Sequence, residues 1–175
     1  MDPFETIAEG ARQESPLWAA ALLPRRARQA VTVFSSLGEQ RFAAGLESIY
    51  EGYLLHYGRP RLFAAPDHDI AILLGDYLYA HGLVRIAALG EVDVVTDLAE
   101  LLSLCAQLQA EARGGDGAAW AATVALLGRG DGRLTDARGE LRDRRAEEPL
   151  LRLAGDAAGA EPVGRALALH ASRVE

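Results

Sequence analysis

An all-α helical bundle is the fold class this sequence predicts, on three observations. Alanine and leucine are abundant, β-branched runs are short, and no hairpin turn joins two alternating segments. Half of the 175 residues are apolar, enough for one domain with a real core. No apolar run reads as long enough to cross a bilayer, and no secretory-type start is visible, so a cytoplasmic chain without a membrane span is expected.

The helices can be justified in order. Residues up to Ser15-Pro16 read as a short helix, and Leu17 to Leu23 as a second piece stopped by Pro24. From Arg25 to about Tyr57 the pattern is helical, with Gly38 and Gly45 as break or close-packing points. Phe42, Leu46, Ile49, Tyr50, Tyr53 and Leu54 fall on one apolar stripe. Gly58 to Pro66 is a loop. Asp67 is placed to cap the next helix, His68 to Leu89, which is apolar nearly all round and therefore expected to bury more than one side. After Gly90, Glu91 to Arg113 alternates acids on one face with Val94, Leu98, Leu101, Leu102, Cys105 and Leu108 on the other; the short connection predicts an antiparallel hairpin. Ala118 to Leu127 is a helix anchored by Trp120. Residues 129–148, glycine-dotted and densely charged, read as a mobile segment, loop first and solvated helix after. Leu150 to Leu153 and Val163 to His170 close the chain as two short helices.

Composition removes several kinds of chemistry. A formal net charge of −7 argues against a nucleic-acid partner. All 18 basic residues are arginine, so no Schiff-base lysine, lysine general base or phosphate-loop lysine exists. One cysteine, Cys105, excludes an internal disulfide and a Cys-based zinc site, and its apolar surroundings mark it as an inert buried thiol. The Asp67-His68-Asp69 triplet reads as helix capping rather than a metal site, and His81 and His170 as packed or surface histidines.

Gly58-Arg59-Pro60, followed by Leu73-Leu74-Gly75-Asp76-Tyr77-Leu78, carries a resemblance. The stretch from about Phe42 to Arg113 resembles the middle of all-trans polyprenyl diphosphate synthases, whose fold is an all-α bundle. In that family a helix bearing an Asp-Asp-x-x-Asp motif ends just before a Gly-Arg-Pro-like turn, and the next helix holds a Gly-Asp pair. The family's spacing puts the motif on Glu47-Ser48-Ile49-Tyr50-Glu51.

The resemblance implies a degenerate metal site at Glu47 and Glu51, four residues apart on one helix face. The plain reading of the same pair is a solvated face with two acids. It implies a chain-length pocket floored by Phe42, whose plain reading is core, and a weak diphosphate contact from Arg59 and Arg61, whose plain reading is two turn arginines. It also implies a subunit interface on the Gly-Asp helix and its successor, at Leu73, Leu74, Tyr77, Leu78, Leu98, Leu101, Leu102 and Cys105. Much of the family's chemistry is missing. No Asp-Asp pair occurs anywhere, and His56-Tyr57 stands where an Arg-Arg pair is expected. Diphosphate chemistry needs metals and cations to neutralise concentrated charge, so no catalytic residue is assigned and activity alone is not expected.

The expectation is a non-catalytic small subunit of a two-component polyprenyl diphosphate synthase. It would pair with a catalytic chain that brings the Mg²⁺ ligands, and would help set isoprenoid length; the chain alone would hold no cofactor. Two alternatives stand beside it: a homodimeric scaffold or small-ligand binder of the same ancestry, and a degraded enzyme using Glu47 and Glu51.

Overall fold

The computed structural model describes residues 2–65 and 67–174, and these are all-α. Helix α1 (Pro3–Glu14) starts where Asp2 accepts a hydrogen bond from the Phe4 amide at 3.0 Å and Pro3 presets the first turn. Ser15 ends α1 and caps α2 (Pro16–Ala21), its hydroxyl accepting from the Leu17 amide at 3.1 Å.

The helix expected from Arg25 onward starts much later. Residues 22–42 run extended, with single 3-10 turns at Arg25–Ala27, Ser35–Leu37 and Gln40–Phe42, and α3 spans Ala43–Tyr57. Pro24 and the β-branched run Val31-Thr32-Val33 work against a helix here. Gly38 also brings the backbone close to Val124, whose carbonyl oxygen would lie 2.8 Å from an added Cβ. Hydrogen bonds from Leu23 N to Leu62 O and from Ala64 N to Ala21 O tie this segment to the loop after α3.

Helix α4 (His68–Ala87) is capped as the sequence predicts, Asp67 accepting from the Ile70 amide at 2.8 Å. It packs antiparallel on α3 through four glycines. An added Cβ on Gly52 would lie 2.7 Å from the Gly75 carbonyl oxygen, and one on Gly82 would lie 2.8 Å from that of Gly45. Each helix carries its pair seven residues apart, two turns, which lets the backbones touch along their length. In 20 residues α4 is long and apolar enough by length and composition to cross a membrane, contrary to the expectation that no such run exists. Its apolarity instead serves two cores: Ile86 enters the main one, while Leu74 and Leu78 enter a smaller one with Phe4, Ile7, Leu62 and Phe63.

Helix α5 (Val92–Ala110) returns beside α4, followed by α6 (Asp116–Ala125), α7 (Gly132–Arg144), α8 (Glu148–Ala158) and α9 (Ala160–Val174). Every residue of α6 is buried. Trp120 lies at the centre, stacked on Phe34 with ring centroids 5.7 Å apart and edge-on to Tyr50 and Tyr53. The segment expected to be mobile, 129–148, contains α7. Its Arg138 is buried, bonding Glu100 at 2.5 Å, the Thr123 hydroxyl at 3.0 Å and the Asp97 carbonyl at 3.0 Å. That anchor, with Leu134 and Leu141 in the core, fixes a helix that looks solvated in composition.

Candidate functional site

Glu47 and Glu51 point inward from α3, not to solvent. Arg61, on the loop after α3 and 0 % exposed in its side chain, reaches between them. Its Nε donates to Glu51 Oε2 at 2.9 Å, and its Nη1 to Glu47 Oε2 at 2.5 Å and to the Val31 carbonyl at 2.8 Å. The remaining carboxylate oxygens are also taken. Glu51 Oε1 accepts the Arg61 and Leu62 amides at 2.7 and 2.6 Å, and Glu47 Oε1 accepts the Ser35 hydroxyl. Phe4 and Tyr50 lay their rings near the guanidinium, 5.1 and 5.0 Å from their centroids. Burial by itself would lower the Arg61 pKa; the charges and hydrogen bonds of both glutamates outweigh it and raise it.

At the motif pair this geometry leaves no carboxylate oxygen unengaged. A divalent cation would have to displace a guanidinium that already satisfies both carboxylates, and Mg²⁺ tolerates little departure from octahedral oxygen geometry. Ser48, in the middle of the motif, donates its hydroxyl to the Leu78 carbonyl at 2.9 Å. Among the described residues no group of three or more His, Cys, Asp or Glu side chains is placed to hold a metal ion. The residues at the motif position do not fit Mg²⁺. The diphosphate contact suggested for Arg61 falls with it, because the guanidinium is enclosed.

Arg59 takes a different course from its neighbour. It is exposed, bonds the Ser172 carbonyl at the end of α9, and lines an open cleft of about 540 Å³ with His56, Tyr57, Gln109 and Arg173. Phe42 is buried in the main core beneath the Arg41 guanidinium, 4.5 Å from its ring centroid, which matches its plain reading.

A second buried polar cluster joins α3, α6 and α9. Tyr50 Oη and His170 Nδ1 are 3.0 Å apart, and His170 Nε2 and Asp116 Oδ2 are 3.1 Å apart. Asp116 also accepts the Tyr53 hydroxyl, and Gln109 donates to Tyr53 Oη at 3.0 Å. Since a carboxylate only accepts, Nε2–H donates to Asp116, and Nδ1 on the other side of the ring pairs with the Tyr50 hydroxyl. The order carboxylate, imidazole, hydroxyl is that of a hydrolytic triad, but Tyr50 is buried against Trp120 and burial raises its pKa above the usual value. Nothing can approach the oxygen for attack. The cluster is a tie that fastens α9 to the core.

The residues expected at a subunit interface divide sharply. Leu74, Leu78, Leu98, Leu101 and Cys105 are buried within the protomer, Tyr77 and Leu102 are half-buried, and Leu73 is exposed. The outer surface of α4 is a row the sequence reading missed apart from Leu73: Asp69, Leu73, Asp76, Ala80, Val84 and Ala87. On α5 the corresponding row is Val92, Thr96, Ala99, Ser103, Ala106 and Ala110. Leu73, Val84 and Val92 are 54, 66 and 76 % exposed. The spacing of three and four was available in the sequence; which of several apolar faces would stay outside was not.

Comparison with family models, with curated proteins and with solved structures finds no match to this chain.

Proposed function

We propose that this chain is a non-catalytic subunit that docks through the outer surface of α4 and α5 onto another polypeptide, and that the partner is the catalytic chain of a polyprenyl diphosphate synthase. The observation that carries the docking is the state of α4. Of its residues only Leu74, Gly75, Leu78, Gly82 and Ile86 are fully buried, while Leu73 and Val84 stay in water, as does Val92 on α5. Large exposed apolar side chains gathered on one helical hairpin mark an interaction surface more often than a monomer's skin. The lack of catalytic capacity is supported by Arg61, which occupies the space between the only carboxylates standing at the motif position. The prenyl assignment rests on the Gly58-Arg59-Pro60 and Gly75-Asp76 resemblance.

On this reading the partner holds Mg²⁺ and carries out the chain elongation, and the present chain shapes the assembly. Reconstitution with an aspartate-rich prenyltransferase chain encoded in the same genome tests it. Wild-type protein should bind that chain and alter its rate or product length, while Val84→Asp, which places a charge among the exposed apolar side chains, should do neither. An unchanged product distribution with wild-type protein, or isopentenyl elongation by the isolated chain, would overturn the reading.

A further inference from the structure

The docking surface has an asymmetric charge, and this limits what can cover it. Helices α4 and α5 together carry five carboxylates, Asp69, Asp76, Asp93, Asp97 and Glu100, against one arginine, Arg85. Asp97 and Glu100, on the acidic stripe of α5, are held by Arg138. Arg85 is turned toward α1, where its Nη2 would lie 3.5 Å from a Cβ added to Gly10. Asp69 and Asp76 stand exposed within the α4 row, and Asp93 is exposed at the edge of the α5 row, next to Val92 and on the stripe of Asp97 and Glu100. Of these only Asp76 has an ionisable basic side chain within 4 Å among the described residues, His56 Nε2 at 3.2 Å, and it stays 65 % exposed.

We infer that the surface accepts a different polypeptide, one presenting an apolar helical face rimmed by arginine or lysine, and that its acidic rim disfavours pairing with a second copy of this chain. The inference rests on the docking reading above and adds the partner's chemistry to it. A two-fold contact uses the same patch on both copies. It would therefore bring two sets of carboxylates together with no arginine from either exposed row to separate them, in a chain whose net charge is already −7. Like charges juxtaposed in a water-depleted contact suppress the wrong partner, and a basic rim converts the same term into attraction and faster encounter.

The test uses a copy of this chain as its own basic-rimmed probe, with Asp69→Arg, Asp76→Arg and Asp93→Arg, all at exposed positions. Sedimentation velocity at low ionic strength should show wild-type protein as a monomer and a one-to-one mixture with the probe as a heterodimer. Raising the salt from about 50 to 500 mM should weaken the mixed species about tenfold or more, as screening shortens the reach of the charges. Over the same range any self-association of wild-type protein should strengthen. Val84→Asp in either member should abolish the mixed species. A tight wild-type dimer at low salt, lost on Val84→Asp, would sink the acidic-rim inference while leaving the docking surface standing. A mixture that stays monomeric, or a mixed species indifferent to Val84→Asp, would overturn the inference as well. Failure of the reconstitution described above, with the mixed dimer intact, would remove the prenyl assignment alone.

Discussion

Gly45 and Gly82 face each other across α3 and α4 so closely that a Cβ on Gly82 would meet the Gly45 carbonyl oxygen at 2.8 Å. Two effects of replacing Gly82 by alanine oppose each other. Helix propensity favours alanine by about 1 kcal/mol, while forcing extra volume into a packed contact costs about 1–3 kcal/mol. Here the obstacle includes backbone, which cannot rotate aside, so the second effect wins. Gly82→Ala should lower stability by about 1–2 kcal/mol net in urea unfolding. Gly155→Ala in α8, where an added Cβ has nothing within 4 Å, should raise it by up to about 1 kcal/mol. Equal effects at the two sites would deny that the α3–α4 contact is limited by the missing side chains.

Arg61 should be intolerant even of lysine. Lysine keeps the charge but lacks the fork that reaches Glu47, Glu51 and the Val31 carbonyl together. Arg61→Met leaves two buried carboxylates without a counter-charge and should cost about 3–5 kcal/mol, and Arg61→Lys a substantial part of that. Guanidinium denaturation of both variants measures it. In wild-type protein millimolar Mg²⁺ should leave the melting temperature unchanged, because both carboxylates are already engaged; a clear upward shift would show that metal can enter.

How much of this was legible beforehand varies with the physical origin of each feature. Caps and punctuation were readable: Asp67, Ser15-Pro16 and Gly90 act locally, and the α4–α5 hairpin follows from them. The 3-10 and extended path of residues 22–42 was not. Its conformation is set by contacts with distant elements, such as Gly38 on Val124 and Leu23 on Leu62. The sequence presents Glu47 and Glu51 as a solvated pair because spacing reports a shared face but not what lies opposite it. Their position in a helix that is apolar on its remaining faces, with Arg61 ten residues on from Glu51, was the available hint. Residues 129–148 misled for the converse reason, since one buried arginine can hold a helix whose composition looks solvent-loving.

His56 makes stability depend on pH near neutrality. Its ring stacks on Tyr79 with centroids 5.1 Å apart, and burial lowers its pKa below the ordinary 6.5, with Asp76 opposing in part. The unfolded chain then binds more protons than the native state in the window just below 6.5, so stability rises with pH there. Acidification from pH 7 to 5 should cost stability that His56→Gln does not lose. Asp76→Asn removes the opposing charge and should steepen the slope. Parallel pH profiles for wild type and His56→Gln would refute the assignment.

Asp116 gives a separate and more acidic limb. Burial would raise its pKa, but the hydrogen bonds from His170 and Tyr53, with smaller help from the His170 charge and the Gly117 amide, hold it below the ordinary 3.8. A depressed carboxyl contributes stability that is complete above its unfolded value and is lost as pH falls through its folded one. Asp116→Asn removes the charge and leaves Tyr53 and His170 competing for a single carbonyl oxygen. It should therefore cost about 1–3 kcal/mol at pH 7. The gap between variant and wild type should narrow once the pH is taken below the ordinary carboxyl value, because the wild-type group is then losing its own advantage. Because Asp116 reaches α9 through His170, the same substitution should speed amide exchange in α9 before that in α3. Urea unfolding at pH 7 and pH 3, with hydrogen exchange on α9, measures both effects, and a gap that does not change with pH would show that the carboxylate charge plays no part in holding the helix.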